Sequence, residues 1–489
     1  MAKEFLRRDF LKHTGLLAGG VAAGGPGLLG YGGSAQAAPP SPSGNPSPPG
    51  NPWWQAEVIA ARVRPPRFPN RFMDVTKFGA VGDGVTDCTA AFRAAIDACA
   101  RSGGGHVVVP AGRFSTGAIH LRSNVDLHIT ADATIAFIPD PRAYLPVVLT
   151  RFEGTELHNY SPMIYAYGRR NIAITGTGTV DAQSDNAHWW PWSGKTTYGW
   201  QPGQPNQMAA RDRLRAMAEN GVPVAERVFG EGGYLRPSFI QPYRCRDVLV
   251  EDITVVNSPM WEIHPVLSEN VLVRNVTVNS HGPNNDGCNP ESSRYVVIRD
   301  CAFDTGDDCI AIKSGRNADG RRVNVPSELI LIEGCQFRAG HGGVTVGSEM
   351  SGGVRDVFAR DLHMSSPDLD IALRFKTNSV RGGFVENFNA RDITVGTVVT
   401  SAIVIDFNYE EGPGHGFNPL VRGIDIRDMT VDTAQRALSL RGYADAPIQD
   451  VRLTRVNFKQ VGQPDIVEHV TGLRLREVYE NGQRLPDTP

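Results

Sequence analysis

No stretch of this 489-residue chain holds the roughly 20 consecutive apolar residues that a helix needs to cross a bilayer. The nearest approach, from Thr14 to Leu29, is interrupted by Gly20, Gly24, Gly25 and Pro26. An excess of charge of one sign is missing too. The 49 Lys and Arg stand against 52 Asp and Glu, a net charge of −3, so nothing indicates a basic surface for nucleic acid. An acidic polymer would have to be held by local Arg and Lys, because the overall field does not attract it. Cysteine is scarce and odd in number: of seven, at least one is unpaired, and the spacing matches no metal motif. Gly82 and Gly84 suggest a phosphate loop, but the Lys and Ser/Thr that close such a loop are absent.

What is present begins with an address. Arg7-Arg8-Asp9-Phe10-Leu11-Lys12, the weakly apolar Thr14 to Leu29 and the small residues Ala35-Gln36-Ala37 read as a twin-arginine export signal over 1–37, with cleavage before Ala38. No lipobox cysteine accompanies it, which argues against a lipoprotein. The expected destination is the periplasm or the medium. Residues 38–52 are nearly all Pro, Ser, Gly and Asn, a composition that builds no core and reads as a linker.

From residue 53 to 489 the chain repeats itself. Val248-Leu-Val-Glu-Asp-Ile-Thr-Val255, Val271-Leu-Val-Arg-Asn-Val-Thr-Val278, Val296-Val-Ile-Arg-Asp-Cys-Ala-Phe303 and Ile330-Leu-Ile-Glu-Gly-Cys-Gln-Phe337 are copies of one unit. Further copies start at Val357, Phe388, Ile424, Val451 and Leu473, and a weaker one near Ile172, at solenoid intervals of roughly 22 to 36 residues. Each alternates apolar and charged residues and then turns at Asn, Asp or Gly, which is a strand pattern. One unit cannot bury its apolar face, so coils must stack in a single domain. The expected fold is all-β, a right-handed parallel β-helix. Thr86 to Ala100 reads as an amphipathic helix that caps the open first coil. Cys301 and Cys335 share one repeat position with Ile253, Val276 and Leu362, which favours buried thiols over a disulfide.

The chemistry sits on successive coils. Asn284-Asn285-Asp286-Gly287, Gly306-Asp307-Asp308-Cys309, Gly340-His341-Gly342 and Arg374-Phe375-Lys376 arrive in that order. Stacked strands lie about 4.7 to 4.9 Å apart, so equivalent positions form ladders and these groups can line one wall. Three crowded carboxyls raise the proton affinity of one of them, as a general acid requires. Both members of Asp307-Asp308 reach the same cleft only if Gly306 permits a turn. Singly, each motif is an ordinary Asx turn; their order on neighbouring coils is what favours a site. Arg374 and Lys376 are two apart, so they face one side of a strand and can clamp a carboxylate, while Phe375 points inward. His264 and His281 read as structural.

These motifs, with Asn289-Pro-Glu-Ser-Ser293, Ile312-Lys-Ser-Gly315 and Gly347-Ser-Glu-Met-Ser-Gly352, make the chain similar to glycoside hydrolase family 28, the polygalacturonases and their relatives, from about Asp74 to the last repeats. The resemblance implies hydrolysis of α-linked galacturonate in pectin, inversion at the anomeric carbon, and no metal or other cofactor. It implies Asp307 as general acid, Asp286 and Asp308 as the groups that activate water, and His341 lining the site and positioning the acid. Asn284, Arg374 and Lys376 would bind substrate. Cys309 stands where fungal relatives carry a bridged cysteine, which allows a bond there. Asn289 stands where many relatives have Asp, so the resemblance does not carry that acid's role over to this chain.

Between Asp181 and Arg236 the repeat breaks, and Trp189, Trp190 and Trp192 cluster in the break, either to stack on sugars or to pack the insertion. The insertion resembles the added wall of bacterial exo-acting relatives, so the expected enzyme is an exo-polygalacturonase acting as a monomer on pectin and oligogalacturonates. A rhamnogalacturonan or xylogalacturonan hydrolase is the alternative within the family. A pectate lyase would share the fold but need Ca²⁺ held by carboxylates. A non-catalytic pectin-binding solenoid would have no use for three clustered carboxyls.

Overall fold

The computed structural model describes residues 51–488; the export segment and all but the last two residues of the linker lie outside them. Those residues wind into a parallel β-helix with right-handed coils. Its long sheet runs from Arg170–Thr175 through Arg246–Glu251, Glu269–Arg274, Arg294–Arg299, Ser327–Glu333 and Val354–Met364 to Arg474–Glu480, each strand parallel to the next. The repeat alignment is the register: Val248 pairs with Val271, Val271 with Val296, Val296 with Ile330 and Ile330 with Val357.

Two features of the repeat acquire a cause. The turn position after each strand, occupied by Asp252, Asn275, Asp300, Gly334, Asp361, Asp392 and Asp428, has a left-handed backbone with φ between 51° and 66°. Asn, Asp and Gly tolerate that region best, so they recur there. The middle residue of each Val-Leu-Val triplet points outward while its neighbours fill the core. Ala173, Leu249, Leu272, Val297, Leu331 and Phe358 therefore form an outer apolar stripe. Helix α1 (Trp53–Arg62) lies across it, with Trp53 against Phe358 at 5.6 Å between ring centroids. At the next coils the stripe turns polar, with Asn389, Asp425 and Arg452 in register.

Helix α2 (Thr89–Arg101) caps the first coil, burying Phe92, Ala95, Ile96 and Cys99. It starts three residues later than the sequence suggests because Asp83–Asp87 pairs as a strand with Gly112–Thr116, and Asp87 accepts from Thr89 N at 2.8 Å. All seven cysteines are buried free thiols, so the bond allowed at Cys309 is not formed; its sulfur lies beside Thr305 Oγ1.

A second parallel sheet, Ile310–Ile312, Val344–Gly347, Ile371–Lys376, Ser401–Asp406 and Arg436–Arg441, forms the floor on which the site is built. Its odd positions, such as Val346, Phe375 and Ile405, fill the core, and Thr345, Arg374 and Lys376 face out. The turns that lead into the floor carry Asp286, Asp307 with Asp308, and His341.

Candidate active site

The structure brings the sequence-expected groups together. One oxygen from each of Asp286, Asp307 and Asp308 lies within 4.8 Å of the others. Gly306 makes this possible through close approach: a Cβ there would come within 2.5 Å of Gly282 O. The chain thus bends before the floor strand, and both adjacent carboxyls turn to the same side. Asn285 fixes the turn ahead of Asp286 from beneath, donating to Ser258 O and Met260 O and accepting from Gly282 N at 2.6 Å.

The three carboxyls differ in access and charge. Asp308 is fully buried, with Lys376 Nζ at 2.6 Å, Thr345 Oγ1 at 3.0 Å and Arg374 Nη1 at 3.3 Å. Burial alone would raise its pKa, but Lys376 and Arg374 outweigh that and hold it below the usual carboxylate range. Asp286 accepts from Asn289 Nδ2 at 2.9 Å and lies 3.5 Å from Lys313 Nζ. Burial and the Asp307 charge push it well above the usual range. Asp307 is the one that reaches the surface, 17 % exposed against 3 % for Asp286 and 0 % for Asp308. Its Oδ1 sits 3.1 Å from His341 Nδ1 and also accepts from Asp308 N at 2.9 Å.

This corrects one expectation. Crowding does raise one carboxyl, but it is Asp286 and not Asp307, because His341, Lys376 and Arg374 overcome Asp307's burial and hold its pKa far below the usual range. In return Asp307 raises His341 to about 9. The sign follows: the pair's contribution to stability is complete below the ordinary imidazole pKa of about 6.5 and is lost as pH rises through about 9. An NMR titration should find the His341 ring titrating above the normal range, and Asp307→Asn should bring it back down; an unchanged midpoint would show that the carboxylate is not its main neighbour.

Arg374 and Lys376 share one face as expected, and both are engaged by Asp308. The Tyr409 ring lies over both cations, 5.3 Å from Lys376 Nζ and 5.8 Å from Arg374 Cζ between centroid and atom. Asn284, expected to bind substrate, gives its side-chain oxygen to Arg236 Nη2 at 2.7 Å and so ties the turn to the insertion. His264 is buried between Ser238, Gln241 and Glu291, and His281 pairs with Asp304, both structural as expected. The tryptophans pack: Trp189 is in the core, Trp192 meets Tyr160 and Tyr234, and Trp190 Nε1 donates to Ser258 O.

Sequence reasoning missed Lys313. It is buried, donates to Gly347 O at 3.1 Å and Glu349 at 3.0 Å, and stands 4.6 Å from the centre of the Trp261 ring. Glu349 in turn binds Arg316 at 3.1 Å. The signal was the register of the floor, where Ala311, Thr345 and Arg374 align and Lys313 therefore aligns with Gly347 and Lys376. The carboxyls could hold a cation by spacing alone, yet Lys313, Arg374 and Lys376 already stand where such a charge would sit.

Beside the insertion of residues 181–236, an antiparallel hairpin that the sequence did not single out, Val148–Phe152 and Thr155–Asn159, lies on the floor. Thr150 Oγ1 donates to Gln241, and Arg151 pairs with Glu291 at 2.9 Å in a fully buried contact. At the hairpin tip Gly154 O accepts from Arg316 N at 3.1 Å. The hairpin thus covers the outward face of the coils just before Lys313. Helix α3 (Met208–Glu219) of the insertion braces it, with Leu214 against Phe152 and Leu157 and Arg215 on Glu153 at 2.7 Å.

Comparison with known proteins agrees with this geometry. Residues 229–471 match Glycosyl hydrolases family 28, and residues 72–130 match Rhamnogalacturonase A/epimerase, pectate lyase-like. The chain is 47 % identical to an exopolygalacturonase from Thermotoga maritima of known structure, covering 88 % of this chain and 96 % of that one with a TM-score of 0.86. It is 28 % identical to the exo-poly-alpha-D-galacturonosidase of Dickeya chrysanthemi over 80 % of this chain and 68 % of that protein. With a probable polygalacturonase of Vitis vinifera the identity is 29 %, over 78 % of this chain and 73 % of that protein.

Proposed function

Because the chain belongs to glycosyl hydrolases family 28, we propose that it hydrolyses the α-1,4 linkages of polygalacturonate from one end of the polymer, with inversion at the anomeric carbon. The observation that carries the exo reading is the hairpin 148–159. It covers the coils immediately ahead of the catalytic ones, so a polymer cannot run through the site in that direction.

Exposure supports Asp307 in the acid role, as the carboxyl that a glycosidic oxygen can reach. Its proton has two sources at hand, Asp286, which burial keeps protonated, and the imidazolium of His341. A proton passed from Asp286 to Asp307 leaves Asp286 ionised. Asp307 then protonates the leaving oxygen as the glycosidic bond breaks, and water attacks the anomeric carbon. The water's proton goes to Asp308 or Asp286. Asp308 is ready for this because Lys376 and Arg374 keep it ionised.

The spacing of at most 4.8 Å is tighter than the roughly 6.5 to 9.5 Å usual for inverting pairs. Retention, however, needs a carboxylate that attacks the sugar directly, and Asp286 and Asp308 are buried against their cations. Water can reach the sugar where they cannot, which favours inversion. The test is the product profile on polygalacturonate in excess chelator, read by reducing ends, ultraviolet absorbance and anomeric NMR. The expected result is saturated monomer from the earliest time, released as the β-anomer. A ladder of oligomers would sink exo action, an α-anomer would sink inversion, and an ultraviolet-absorbing product lost to chelator would mean a lyase. No product at all would direct the search to branched pectins.

A further inference from the structure

The insertion does more than brace the wall, because it also reaches the catalytic turn. Trp190 packs against Gly282, where a Cβ would come within 2.2 Å of Trp190 Nε1, and Gly282 lies against Gly306. Three residues that matter here are therefore stacked in order: Trp190 from the insertion, Gly282 from the Asp286 turn, and Gly306, which precedes Asp307. The chain leaving Trp190 makes two short 3₁₀ turns, Trp190–Ser193 and Thr196–Tyr198, with Lys195 between them. Tyr198 meets Trp190 edge-on at 6.2 Å, and Lys195 Nζ stands 6.0 Å above the Tyr198 ring.

Lys195 differs from the other cations near the carboxyls. Lys313, Lys376 and Arg374 each sit on a carboxylate of the site, whereas the Lys195 ammonium makes no ion pair or hydrogen bond among the described residues. Its side chain is exposed, yet surrounding protein lowers its pKa, which is the behaviour of a cation standing in a recess. Asp307 is the charge that most opposes that lowering, and the same carboxylate acts on the Tyr198 hydroxyl. An unpaired ammonium over Tyr198, on the segment that Trp190 seats against the Asp286 turn, is placed to meet an anion carried by the substrate.

We propose that Lys195 binds the carboxylate of the galacturonate unit on the closed side of the scissile bond. The assignment rests on the exo-polygalacturonase reading. It gives the insertion a direct part in substrate recognition: Lys195 serves the unit against the wall, and Arg374, on the opposite flank of the aspartates, serves the unit that leaves towards the open coils. Tyr198 sets the position of the ammonium through their contact.

The test is steady-state kinetics of Lys195→Met and Lys195→Arg on trigalacturonate and on its methyl ester, with calorimetric binding of trigalacturonate to the Asp307→Asn protein with and without Lys195→Met. Loss of one charge-assisted contact should raise KM and weaken binding by about 10- to 100-fold on the free acid. The change in kcat should stay within about twofold, Lys195→Arg should recover most of the loss, and added salt should shrink the difference. The ester, which lacks the charge, should show no difference between wild type and Lys195→Met. A KM unchanged within about twofold on the free acid, or an equal loss on acid and ester, overturns the proposal. Wild-type protein that releases nothing from polygalacturonate would instead overturn the reading on which it rests.

Discussion

Asp307→Asn should lower kcat on polygalacturonate by about 10²- to 10⁴-fold, the range for losing a positioned general acid. Asn is nearly the same shape, and its side-chain oxygen can keep the bond that Asp308 N now gives Asp307 Oδ1. The fold and the affinity for oligogalacturonate should therefore survive, with the affinity, if anything, higher once a negative charge facing a polyanion is gone. Single-turnover rates and calorimetry on the same preparation separate the two effects. Asp286→Asn is the necessary comparison, because Asp286 is the carboxyl whose pKa is raised. If Asp307→Asn remains fully active while Asp286→Asn is dead, the acid is Asp286 and exposure is the wrong criterion.

Lys313→Met should be the most destabilising single change at the site. Lys313 is buried with its ammonium on Glu349, on Gly347 O and near Asp286, and its loss leaves the buried Glu349 carboxylate with one cation fewer. Breaking a buried ion pair from one side costs about 3 to 5 kcal/mol. The cost should also depend on pH in a defined way. Glu349 is buried, but Lys313 and Arg316 hold its pKa far below the usual carboxylate range. Its contribution is present above the ordinary carboxylate pKa and disappears as the pH falls. Lys313→Met should weaken that acid dependence along with overall stability. Since Lys313 also opposes the rise at Asp286, which must be protonated to supply Asp307, the alkaline limb of activity should move to higher pH in the variant. Denaturant unfolding at several pH values and a pH–rate profile measure both, and an unchanged midpoint with an unchanged alkaline limb would show that Lys313 is merely a neighbour.

The fold was legible because a solenoid writes its contacts into the sequence at a fixed interval. Val248, Val271, Val296 and Ile330 align by eye and pair in space, and the Asn, Asp and Gly that close each unit mark the left-handed turn. For the same reason Asp286, Asp307, Asp308, His341, Arg374 and Lys376 could be gathered into one site before any coordinates: residues at equivalent phases of adjacent coils must be neighbours. Helix α1 was not legible, since nothing in its composition says that it will lie on an outer stripe formed far along the chain.

Residue types and phases, then, were fixed by the sequence alone: three carboxyls, an imidazole and a pair of cations on consecutive turns of a parallel β-helix. The tertiary structure decided the surroundings of each carboxyl and what lies over the coils ahead of them. Proton affinity depends on burial and on charges from other coils, so Asp286 rises while Asp307 falls against His341. What covers the coils depends on a hairpin outside the repeat, held to the floor by Arg151 and Gly154 and to the insertion by Glu153, through contacts that span from about 60 to more than 150 residues of sequence. Periodicity predicts neighbours within the solenoid, but it carries no information about what folds back over it.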